Sequence, residues 1–458
     1  MKHFILPLFI ILFSLPAMAA INLQALGACE EEDATTTINT ALAQAKAIGT
    51  SVYAPACKYN HSGVIIIDST QLYGEKGTVF NSANVTGVNP DNAIILTGSN
   101  PKLLNVEITT DWTGLRQSNI NGHAVVVSSA NDFLVENIDV LGSAGSGIFI
   151  TNSYNGLTTY NKVKDTLADG IHITNKSYNN IISGNHIIDT GDDQIAVVSY
   201  NSDAGISHDI LINGNIVSGG STRGISVVGG ERITITDNNI SDIDLSGVYI
   251  ATESSYNTNY VKDILVGNNF ITSCNTDNSS GASSVYVFGR DGYTTSNIII
   301  SNNQVLKSVR NGITVASESG IPAYSNHIKI IGNLIEGDLT SLDSGIGIKF
   351  YGADSIDVIN NTIRDFHAGG VYSDSGTMSG VINVFTNRFE NLNAGATSWV
   401  DAVYFSTGAS IINFQGNIQL NGSYTVQRFL EVNQAVSVIF ENNYGENVSV
   451  SINRMTIQ

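Results

Sequence analysis

The most regular feature of this 458-residue chain is a short phrase in which a small or polar residue precedes an apolar, a variable and an apolar position. Its copies follow one another at steps of 23 to 37 residues. Alternation of this kind predicts one short strand per copy. The copies are Gly147–Ile150, Gly170–Ile173, Gln194–Val197, Gly224–Val227, Gly247–Ile250, Ser284–Val287, Gly312–Val315, Gly345–Ile348 and Gly370–Tyr372.

A second row places an asparagine just before another alternating apolar segment in each repeat. An asparagine at one position of every repeat predicts a ladder in which each side-chain amide bonds to the next. This structural role is sufficient to explain the row, so we assign it no function. Its members are Asn105, Asn137, Asn161, Asn185, Asn215, Asn239, Asn269, Asn303, Asn333, Asn361, Asn387, Asn417 and Asn443.

Repeats this short cannot bury an apolar face alone, so they must stack about 4.8 Å apart around a shared core. The composition agrees, because charged residues make up only 13% of the chain and 44 glycines accompany 6 prolines. Short β-branched strands joined by glycine, asparagine and serine turns are typical of such a chain. The sequence therefore predicts an all-β protein, a right-handed parallel β-helix solenoid with a short N-terminal capping helix.

The pattern divides the chain into a signal peptide at 1–19, an N-terminal cap with the first coils at 20–100, and β-helix repeats at 101–458. Asp33 is placed to cap a helix that runs to about Ile48 and covers the first coil. The apolar face of this helix consists of Ile38, Leu42, Ala45 and Ile48. The longest loops, at 200–222, 252–283 and 316–344, are expected to build binding walls.

The first residues have the features of a signal peptide. Lys2 and His3 precede the apolar run Phe4–Leu15, and Ala17–Ala19 supplies a small-residue cleavage site before Ala20. The apolar run is too short to span a bilayer comfortably. We expect an exported protein, periplasmic or secreted, without membrane insertion.

Three cysteines follow the signal peptide. Cys29 and Cys57 could form a disulfide in an oxidising compartment, which would leave Cys274 unpaired. The alternative is that Cys29 and Cys57 are independent small core residues. The spacing of cysteines and histidines matches no metal-binding pattern, and we expect no metal site and no cofactor.

The chain is acidic, with 21 Lys and Arg against 40 Asp and Glu. A surface of this charge repels nucleic acid and anionic membranes. We therefore expect no nucleic-acid partner, a polysaccharide substrate or ligand, and a monomer.

Charged residues stand just before the repeated phrase in three consecutive copies. They are Asp169, Asp193 and Arg223, with Asp192 beside Asp193. Stacking should bring the three onto successive coils of one wall, about 5 Å apart. Outward aromatic positions of neighbouring copies should form the floor and flanks of this patch. These are Phe149, His172, Tyr249 and Tyr286.

Paired carboxylates with exposed rings are suited to a carbohydrate site, where one acid protonates the leaving oxygen and another activates water. Crowding should separate the pKa values of the carboxyls and keep one of them protonated. A structural interpretation also exists. Asp before Gly is common in turns, and Asp193 with Arg223 could form a simple ion pair between coils.

Two family resemblances add to this interpretation. Gly27–Ala28, the acidic residues up to Asp33 and Val52–Pro55 resemble the opening of pectate-lyase-type β-helix proteins. Leu167–Gly170 and Gly191–Asp193 resemble, in order and phase, the Asn-Thr-Asp-Gly and Gly-Asp-Asp motifs of polygalacturonase-type glycoside hydrolases. That resemblance implies a general acid at Asp192, with Asp169 and Asp193 activating water for inverting hydrolysis.

The chain departs from the polygalacturonase pattern at two coils. Arg223 stands where that family has histidine, and Tyr249 and Ala251 stand where it has the Arg and Lys of Arg-Ile-Lys. Those cations hold the substrate carboxylate in the family. Their replacement favours a neutral or differently charged glycan and leaves Arg223 and His172 as candidate substrate-binding residues.

Three functions fit these observations. The first is a glycoside hydrolase that uses Asp169, Asp192 and Asp193. The second is a lyase or epimerase, in which the acids would hold calcium and Arg223 or His172 would take the proton beside a uronic acid carboxylate. The third is a non-catalytic β-helix that binds an exopolysaccharide.

Overall fold

The computed structural model describes residues 19–83, 93–277, 283–290, 292–321, 324–341, 345–373, 378–392, 401–406, 409, 411–422, 426, 428–433, 437–446 and 449–453. The proposed signal peptide therefore lies outside the described residues, apart from Ala19. The chain winds through three parallel sheets in the same order in each coil. This confirms the predicted parallel β-helix, and we number the sheets in the order in which a coil visits them.

Sheet one has 16 strands, and strands of neighbouring coils pair in parallel. Its strands are Ile21–Asn22, Val52–Ala54, Gln71–Gly74, Lys102–Leu104, Leu134–Glu136, Leu157–Thr159, Ile181–Ser183, His208–Asn213, Gly230–Thr236, Val261–Gly267, Thr295–Ser301, Ser325–Ile331, Ala353–Ile359, Met378–Phe385, Ile411–Gln415 and Ser437–Glu441.

Sheet two has 15 strands and follows sheet one in each coil. Its strands are Cys57–His61, Thr78–Ser82, Glu107–Thr110, Asp139–Ser143, Lys162–Thr166, His186–Ile188, Ile216–Ser218, Asn239–Ile243, Phe270–Cys274, Gln304–Ser308, Leu334–Gly337, Thr362–Arg364, Arg388–Glu390, Ile418–Leu420 and Tyr444–Gly445.

Sheet three has 15 strands and contains the repeated phrase. The copy predicted at Gly345–Ile348 was wrong by two residues, because Ile348 and not Ile346 pairs with Ile313. Its strands are Ile65–Asp68, Ile94–Ser99, Val125–Asn131, Ile148–Thr151, Ile171–Thr174, Ile195–Val198, Ile225–Val228, Val248–Ala251, Ser283–Gly289, Asn311–Ser317, Ile346–Tyr351, Gly369–Ser373, Asp401–Phe405, Arg428–Asn433 and Ser449–Asn453.

One continuous apolar core fills the solenoid. In a strand alternate side chains point to opposite faces, so the two apolar residues of each phrase point inward and the residue between them points outward. Ile171 and Ile173, for example, are fully buried on either side of His172. The register aligns these positions from coil to coil, because Ile171 pairs with Ile195 and Ile195 with Ile225.

A buried asparagine ladder runs along the turn before sheet two. Each member donates from Nδ2 to the Oδ1 of the next member and to a main-chain carbonyl, and its Oδ1 also accepts the backbone N–H of the previous member. The members are Asn161, Asn185, Asn215, Asn238, Asn269, Asn303, Asn333, Asn361, Asn387, Asn417 and Asn443.

The predicted ladder was wrong at three positions. The member at the Asn-Asn pair is Asn238, whereas Asn239 begins a sheet two strand and is exposed. Asn105 and Asn137 occupy the left-handed position one residue earlier and form a separate exposed pair, 2.8 Å from Nδ2 to Oδ1. The sequence pattern was ambiguous by one residue because asparagine suits both the left-handed and the buried position.

An α-helix, Thr35–Ile48, lies at the N-terminal end and buries Ile38, Leu42 and Ala45 against the first coil, as predicted. Two details of the prediction were wrong. The N-cap residue is Ala34, and Asp33 accepts a hydrogen bond from the Thr35 N–H and pairs with Ser62 instead. Ile48, the last residue of the helix, is exposed.

Cys29 and Cys57 form a disulfide with their Cα atoms 6.0 Å apart. It joins the segment before the capping helix to the first strand of sheet two, and Cys274 is free and buried in the core. Three single-turn 3-10 helices, Gln24–Leu26, Ile120–Gly122 and Glu318–Gly320, complete the helical structure of the described residues. Among these residues, no helix has the length and apolar character needed to span a bilayer.

Candidate active site

The turn between sheet two and sheet three carries the charged residues that precede the phrase. Gly170 N–H donates to the carbonyl of Asp193, and Gln194 N–H donates to the carbonyl of Arg223, at 3.0 and 2.9 Å. Asp169, Asp193 and Arg223 therefore occupy one position of three successive coils. The sequence predicted this phase correctly.

A glycine brings the turn that carries Asp192 and Asp193 close to the preceding coil. A Cβ on Gly191 would lie 2.7 Å from the Leu167 carbonyl oxygen, so only glycine fits without a shift of the backbone. Thr190 Oγ1 donates to the Asp192 carbonyl at 2.7 Å and fixes the turn. This tight turn presents Asp192 and Asp193 on neighbouring positions of the outer wall.

The three aspartates converge. One carboxylate oxygen of each of Asp169, Asp192 and Asp193 lies within 4.8 Å of the others. Asp169 and Asp193 are nearly enclosed, whereas 28% of the Asp192 side chain is exposed at the base of a cleft. The cleft is lined by Arg116, Asp169, His172, Asp192, Asp193, Ala196, Val198, Tyr200, Arg223, Val228, Glu253, Tyr256 and Thr258.

Asp193 is buried among charged and hydroxyl groups. Its Oδ2 accepts a hydrogen bond from Ser226 Oγ at 2.6 Å, and its Oδ1 accepts one from Thr222 Oγ1 at 3.1 Å. Burial raises its pKa to about 6; the charges of Asp169 and Asp192 add to this rise, and Arg223 and the Ser226 hydrogen bond oppose it. Its surroundings therefore favour the protonated form of Asp193 over the charged form.

Asp169 is paired with a histidine of its own coil. His172 Nδ1 lies 2.8 Å from Asp169 Oδ2, and both side chains are buried. The His172 ring also stacks on Phe149, which stacks on His123, with centroid distances of 5.0 and 4.3 Å and angles of 7° between planes. This stack fixes the His172 ring beside Asp169 and extends the aromatic floor two coils beyond the aspartates.

Arg223 is held by two carboxylates and a ring. Its Nη1 lies 3.5 Å from Asp193 Oδ1, its Nη2 donates to Glu253 Oε1 at 3.0 Å, and its Cζ lies 4.2 Å from the Tyr249 ring centroid. Burial lowers the pKa of Arg223, but the charges of these carboxylates raise it more, so the pKa lies above its ordinary value. Its charge is compensated within the protein.

Arg116 reaches the site from a loop that precedes sheet three. Its Nη1 donates to Asp192 Oδ2 at 2.6 Å, although 76 residues separate the two in sequence. The pKa of Arg116 is raised by this hydrogen bond and charge, against the effect of burial. Sequence reasoning missed Arg116 because nothing in its local sequence relates the loop at 111–123 to the aspartate coils.

Two loops pair to build the opposite wall. Asn201 N–H donates to the Asn257 carbonyl at 3.0 Å, and Tyr200 bridges to Thr258 in antiparallel fashion. The pair crosses above Gly229, whose φ is +87° and where a Cβ would lie 2.6 Å from the Ser199 carbonyl oxygen. Two of the long loops predicted to form walls, 200–222 and 252–283, contribute here, the second through its described residues.

Besides Arg116, four cleft residues on the two wall loops were not predicted, nor were Ala196, Val198 and Val228 on sheet three. Glu253, Tyr256 and Thr258 belong to the second wall loop, and Tyr200 begins the first. Burial raises the pKa of Tyr200 to about 12, with Asp169 and Asp203 adding to the rise. Loop length was the only signal for these residues, and it indicated the segment without selecting a side chain.

The predicted aromatic residues lie on the outward row of sheet three, as expected, but they differ in their access to the cleft. The register aligns Phe149 with His172, and Ser226 with Tyr249 and Tyr286. His172 lines the cleft, and Phe149 lines its continuation toward His123. Tyr249 is buried beneath the Arg223 guanidinium, and Tyr286 packs beside Tyr249, so neither lines the cleft. The cleft therefore does not include these two tyrosines, and their role in substrate binding stays a prediction.

Among the described residues, these three carboxylates are the group whose ligand atoms lie close enough together to hold a metal ion. Their oxygens are already engaged by protein donors, since Asp192 bonds Arg116, Asp193 bonds Ser226 and Thr222, and Asp169 faces His172. Calcium requires six to eight oxygen ligands. A calcium ion at this cluster would have to displace those donors.

Comparison with known proteins agrees with the fold. A family model described as "Right handed beta helix region" matches residues 51–210. Together with the three parallel sheets, this match defines the molecule as a right-handed parallel β-helix, as predicted. A comparison with curated protein sequences gives no significant match.

Several solved structures share the architecture. The catalytic unit of a GH87 alpha-1,3-glucanase from Streptomyces thermodiastaticus strain HF3-3 is 16% identical, with a TM-score of 0.58 over 94% of this chain and 69% of that one. The catalytic domain of a GH87 alpha-1,3-glucanase variant, in complex with tetrasaccharides, is 17% identical, with a TM-score of 0.60 over 81% and 67%. The Agl-KA catalytic domain is 15% identical, with a TM-score of 0.52 over 95% and 69%. At these identities the likeness shows a shared fold.

Proposed function

We propose that this protein is a glycoside hydrolase that cleaves a neutral polysaccharide with Asp169, Asp192 and Asp193. The observation that carries the proposal is the convergence of three carboxylates from adjacent coils, within 4.8 Å, at the base of a cleft. A purely structural ion pair would need one aspartate per cation. Here the acids outnumber the arginines and one acid has a pKa raised to about 6.

The sequence spacing of three aspartates in a structural neighbour supports the choice of Asp169, Asp192 and Asp193. Three aspartates of a GH87 alpha-1,3-glucanase are each changed to alanine in structures that hold nigerose or tetrasaccharides. Those aspartates are 23 residues and then one residue apart. Asp169, Asp192 and Asp193 have the same spacing, and alpha-1,3-glucan is therefore the first substrate to test.

The proposed reaction assigns a role to each acid. Asp192, the most exposed, donates its proton to the glycosidic oxygen as the bond from that oxygen to the anomeric carbon breaks. A water molecule forms the new bond to the anomeric carbon and passes its proton to Asp193, with Asp169 beside it. His172 positions Asp169. Arg116 pairs with the Asp192 carboxylate in the free protein, so the substrate must displace Arg116 before Asp192 can carry the proton that it donates.

The charges of the cleft favour a neutral glycan. Arg116 and Arg223 are the arginines among the lining residues, and both are paired with carboxylates of the protein. Neither is left to bind a uronic acid carboxylate. The negative charge of four lining carboxylates would also repel a polyanionic chain.

The test compares wild type, Asp192→Asn and the control Asp139→Asn, an exposed aspartate on sheet two. Each is incubated with alpha-1,3-glucan, laminarin, dextran and polygalacturonate, and products are measured by reducing ends and by ultraviolet absorbance. We expect wild type and the control to cleave a neutral glucan, and Asp192→Asn to be slower by about 10²-fold or more. Equal products from wild type and Asp192→Asn would refute the site.

The other outcomes identify the alternatives. A calcium-dependent, ultraviolet-absorbing product from polygalacturonate would establish the lyase interpretation. Retention of a glucan by wild type without any bond cleavage would establish a binding protein. Both outcomes overturn hydrolysis.

The stereochemical course is a separate part of the proposal. The polygalacturonase resemblance implies inversion. The oxygen separations within 4.8 Å are shorter than the roughly 6.5–9.5 Å of a typical inverting pair and closer to the roughly 5–5.5 Å of a retaining pair. We propose inversion, with the water held beside the cluster, and NMR of the first-formed anomer tests it. A retained anomer would make Asp193 or Asp169 the nucleophile.

We also propose that the protein is exported, with residues 1–19 as a signal peptide. The Cys29–Cys57 disulfide supports this proposal, because disulfides persist in oxidising compartments. N-terminal sequencing of protein from the periplasm or the medium should begin at Ala20. Recovery from the cytoplasm with Met1 retained would contradict the proposal.

A further inference from the structure

A second polar and aromatic patch lies near the C-terminal end of the outward face of sheet three. We call it the distal patch, and it consists of Tyr372, Asp401, Tyr404, Arg428 and Glu431. The two tyrosines are half-buried, and their ring centroids lie 5.5 Å apart. Each of them points away from the core, since the residues on either side of Tyr372 and Tyr404 are buried.

The distal patch lies on the same rows as the candidate active site. The register carries the row of Asp193 and Arg223 through five further strands to Asp401 and then Arg428. The order of the first site repeats, since an arginine follows an aspartate on the next coil in both places. Tyr372 and Tyr404 continue the outward row that holds His172.

The polar groups of the distal patch hold one another in place. Arg428 Nε donates to Asp401 Oδ1 at 2.9 Å, and its Nη2 also pairs with Glu431. Asp401 N–H donates to Tyr372 Oη at 2.9 Å, and Asn433 Nδ2 donates to Tyr404 Oη at 3.3 Å. These contacts fix the orientation of both rings on a rigid stack, which favours recognition of a rigid ligand.

We propose that the distal patch binds a remote segment of the neutral polysaccharide whose cleavage is proposed above. This second proposal rests on that proposed function. Tyrosine rings stack on the apolar faces of sugars. The carboxylates of Asp401 and Glu431 accept hydrogen bonds from sugar hydroxyls, and Arg428 donates to them. Arg428 is already paired with both Asp401 and Glu431, so the distal patch keeps one net negative charge and has no cation left over for an anionic group, which suits a neutral chain.

The candidate active site and the distal patch lie on the same rows of sheet three, so we infer that one polymer binds at both. Seven coil steps separate Asp193 from Asp401, which at about 4.8 Å per step is about 34 Å. The row between them holds Tyr249, Tyr286, Thr314 and Lys349 at successive outward positions, of which Tyr286 and Lys349 are partly exposed and Tyr249 and Thr314 are buried. A polysaccharide that follows the axis from the cleft meets the distal patch, whereas a tetrasaccharide is too short to reach both.

The test uses the double variant Tyr372→Thr/Tyr404→Thr, because Thr314 shows that the row accepts threonine. The matched control is Tyr444→Thr, an exposed tyrosine on sheet two. A second control, Tyr372→Phe/Tyr404→Phe, keeps both rings. Each is made in the Asp192→Asn background, and binding is measured by affinity electrophoresis through gels that contain nigeran or dextran.

We expect the threonine variant to bind the polymer at least about fivefold more weakly, with both controls unchanged. With Asp192 intact, the threonine variant should also cleave a tetrasaccharide at the rate of wild type and the polymer with a raised KM. Polymer binding that is unchanged in a folded threonine variant would overturn the proposal, as would an equal loss on the tetrasaccharide. Melting curves establish folding, and if the threonine variant unfolds, Tyr404→Thr alone must show the loss.

The two proposals fail in different ways. If no glycan is cleaved but polymer binding depends on Tyr372 and Tyr404, the hydrolase proposal fails and the distal patch remains a glycan site. If the tetrasaccharide is cleaved and polymer binding is independent of both tyrosines, the distal patch has no role and the hydrolase proposal stands.

Discussion

At the scale of single residues, Asp193 is the position where stability and the proposed chemistry conflict. Its pKa in the folded protein is about 6, above the value of 3.8 of an unperturbed aspartate, because burial disfavours its charge. The folded state therefore holds this proton more tightly than the unfolded state does. The resulting stabilisation is complete below pH 3.8 and is lost as the pH rises through about 6.

Replacement of Asp193 by asparagine should separate these effects. At pH 8, Asp193→Asn should be more stable than wild type by on the order of 1–3 kcal/mol, because no buried charge forms. The difference should shrink as the pH falls to 4. Urea denaturation at both pH values measures it, with Asp139→Asn as the control. A difference that does not change with pH would contradict the raised pKa of Asp193.

The pH dependence of activity tests the role of the same residue. If Asp193 accepts the proton of the attacking water, it must be ionised, so kcat/KM should rise with pH through about 6. Ser226→Ala removes a hydrogen bond that lowers the pKa of Asp193 and should move this limb to higher pH. Ser241→Ala on sheet two serves as the control. A limb that falls through pH 6 would make Asp193 the proton donor instead.

Single residues were predictable where they follow the repeat. Asp169, Asp193 and Arg223 could be placed together because equal positions of successive coils must be neighbours. Arg116 and Glu253 could not, since each enters the cleft from a loop whose path depends on tertiary contacts. Tyr249 was placed on the correct row, but its burial depends on the guanidinium above it.

At the scale of elements, the asparagine ladder shows how a one-residue ambiguity is resolved. Asn238 and Asn239 are equivalent in the sequence pattern, but Asn238 is buried and uses both amide hydrogens and its carbonyl oxygen in the ladder. A polar group buried in the turn is retained only where each bond is satisfied.

The two neighbours form a matched pair for mutation. Asn238→Ala leaves the Asn215 N–H without its acceptor and should lower the free energy of unfolding by roughly 1–3 kcal/mol. Asn239→Ala removes an exposed side chain and should change it by less than about 0.5 kcal/mol. Chemical denaturation of both variants measures the difference. Equal losses would place Asn239 in the ladder after all.

At the scale of the whole molecule, the solenoid was predictable and its surroundings were not. Each coil depends on its neighbours for a core, so a single periodic pattern specifies all three sheets from Val52 to Asn453. The ends and the loops obey no period. The disulfide between Cys29 and Cys57 was therefore open from the sequence, because the cap that brings the two cysteines together lies outside the repeat.

The disulfide should stabilise the end of the stack more than its middle. It closes a loop over a sequence separation of 28 residues, which by the chain-entropy model contributes roughly 3 kcal/mol or more. In a solenoid each coil contacts only its neighbours, so loss of the bond should act on the capping helix and first coils and spare the coils around Asp193. Cys29→Ser/Cys57→Ser should therefore accelerate hydrogen exchange in Thr35–Ile48 and leave exchange in Ile195–Val198 unchanged. Cys274→Ala alters the core of a coil three steps beyond Ile195–Val198, so it should accelerate exchange in the adjoining strand Val261–Gly267 and leave exchange in Thr35–Ile48 unchanged. Uniformly faster exchange in the double variant would mean that the cap and the active-site coils unfold as one cooperative unit.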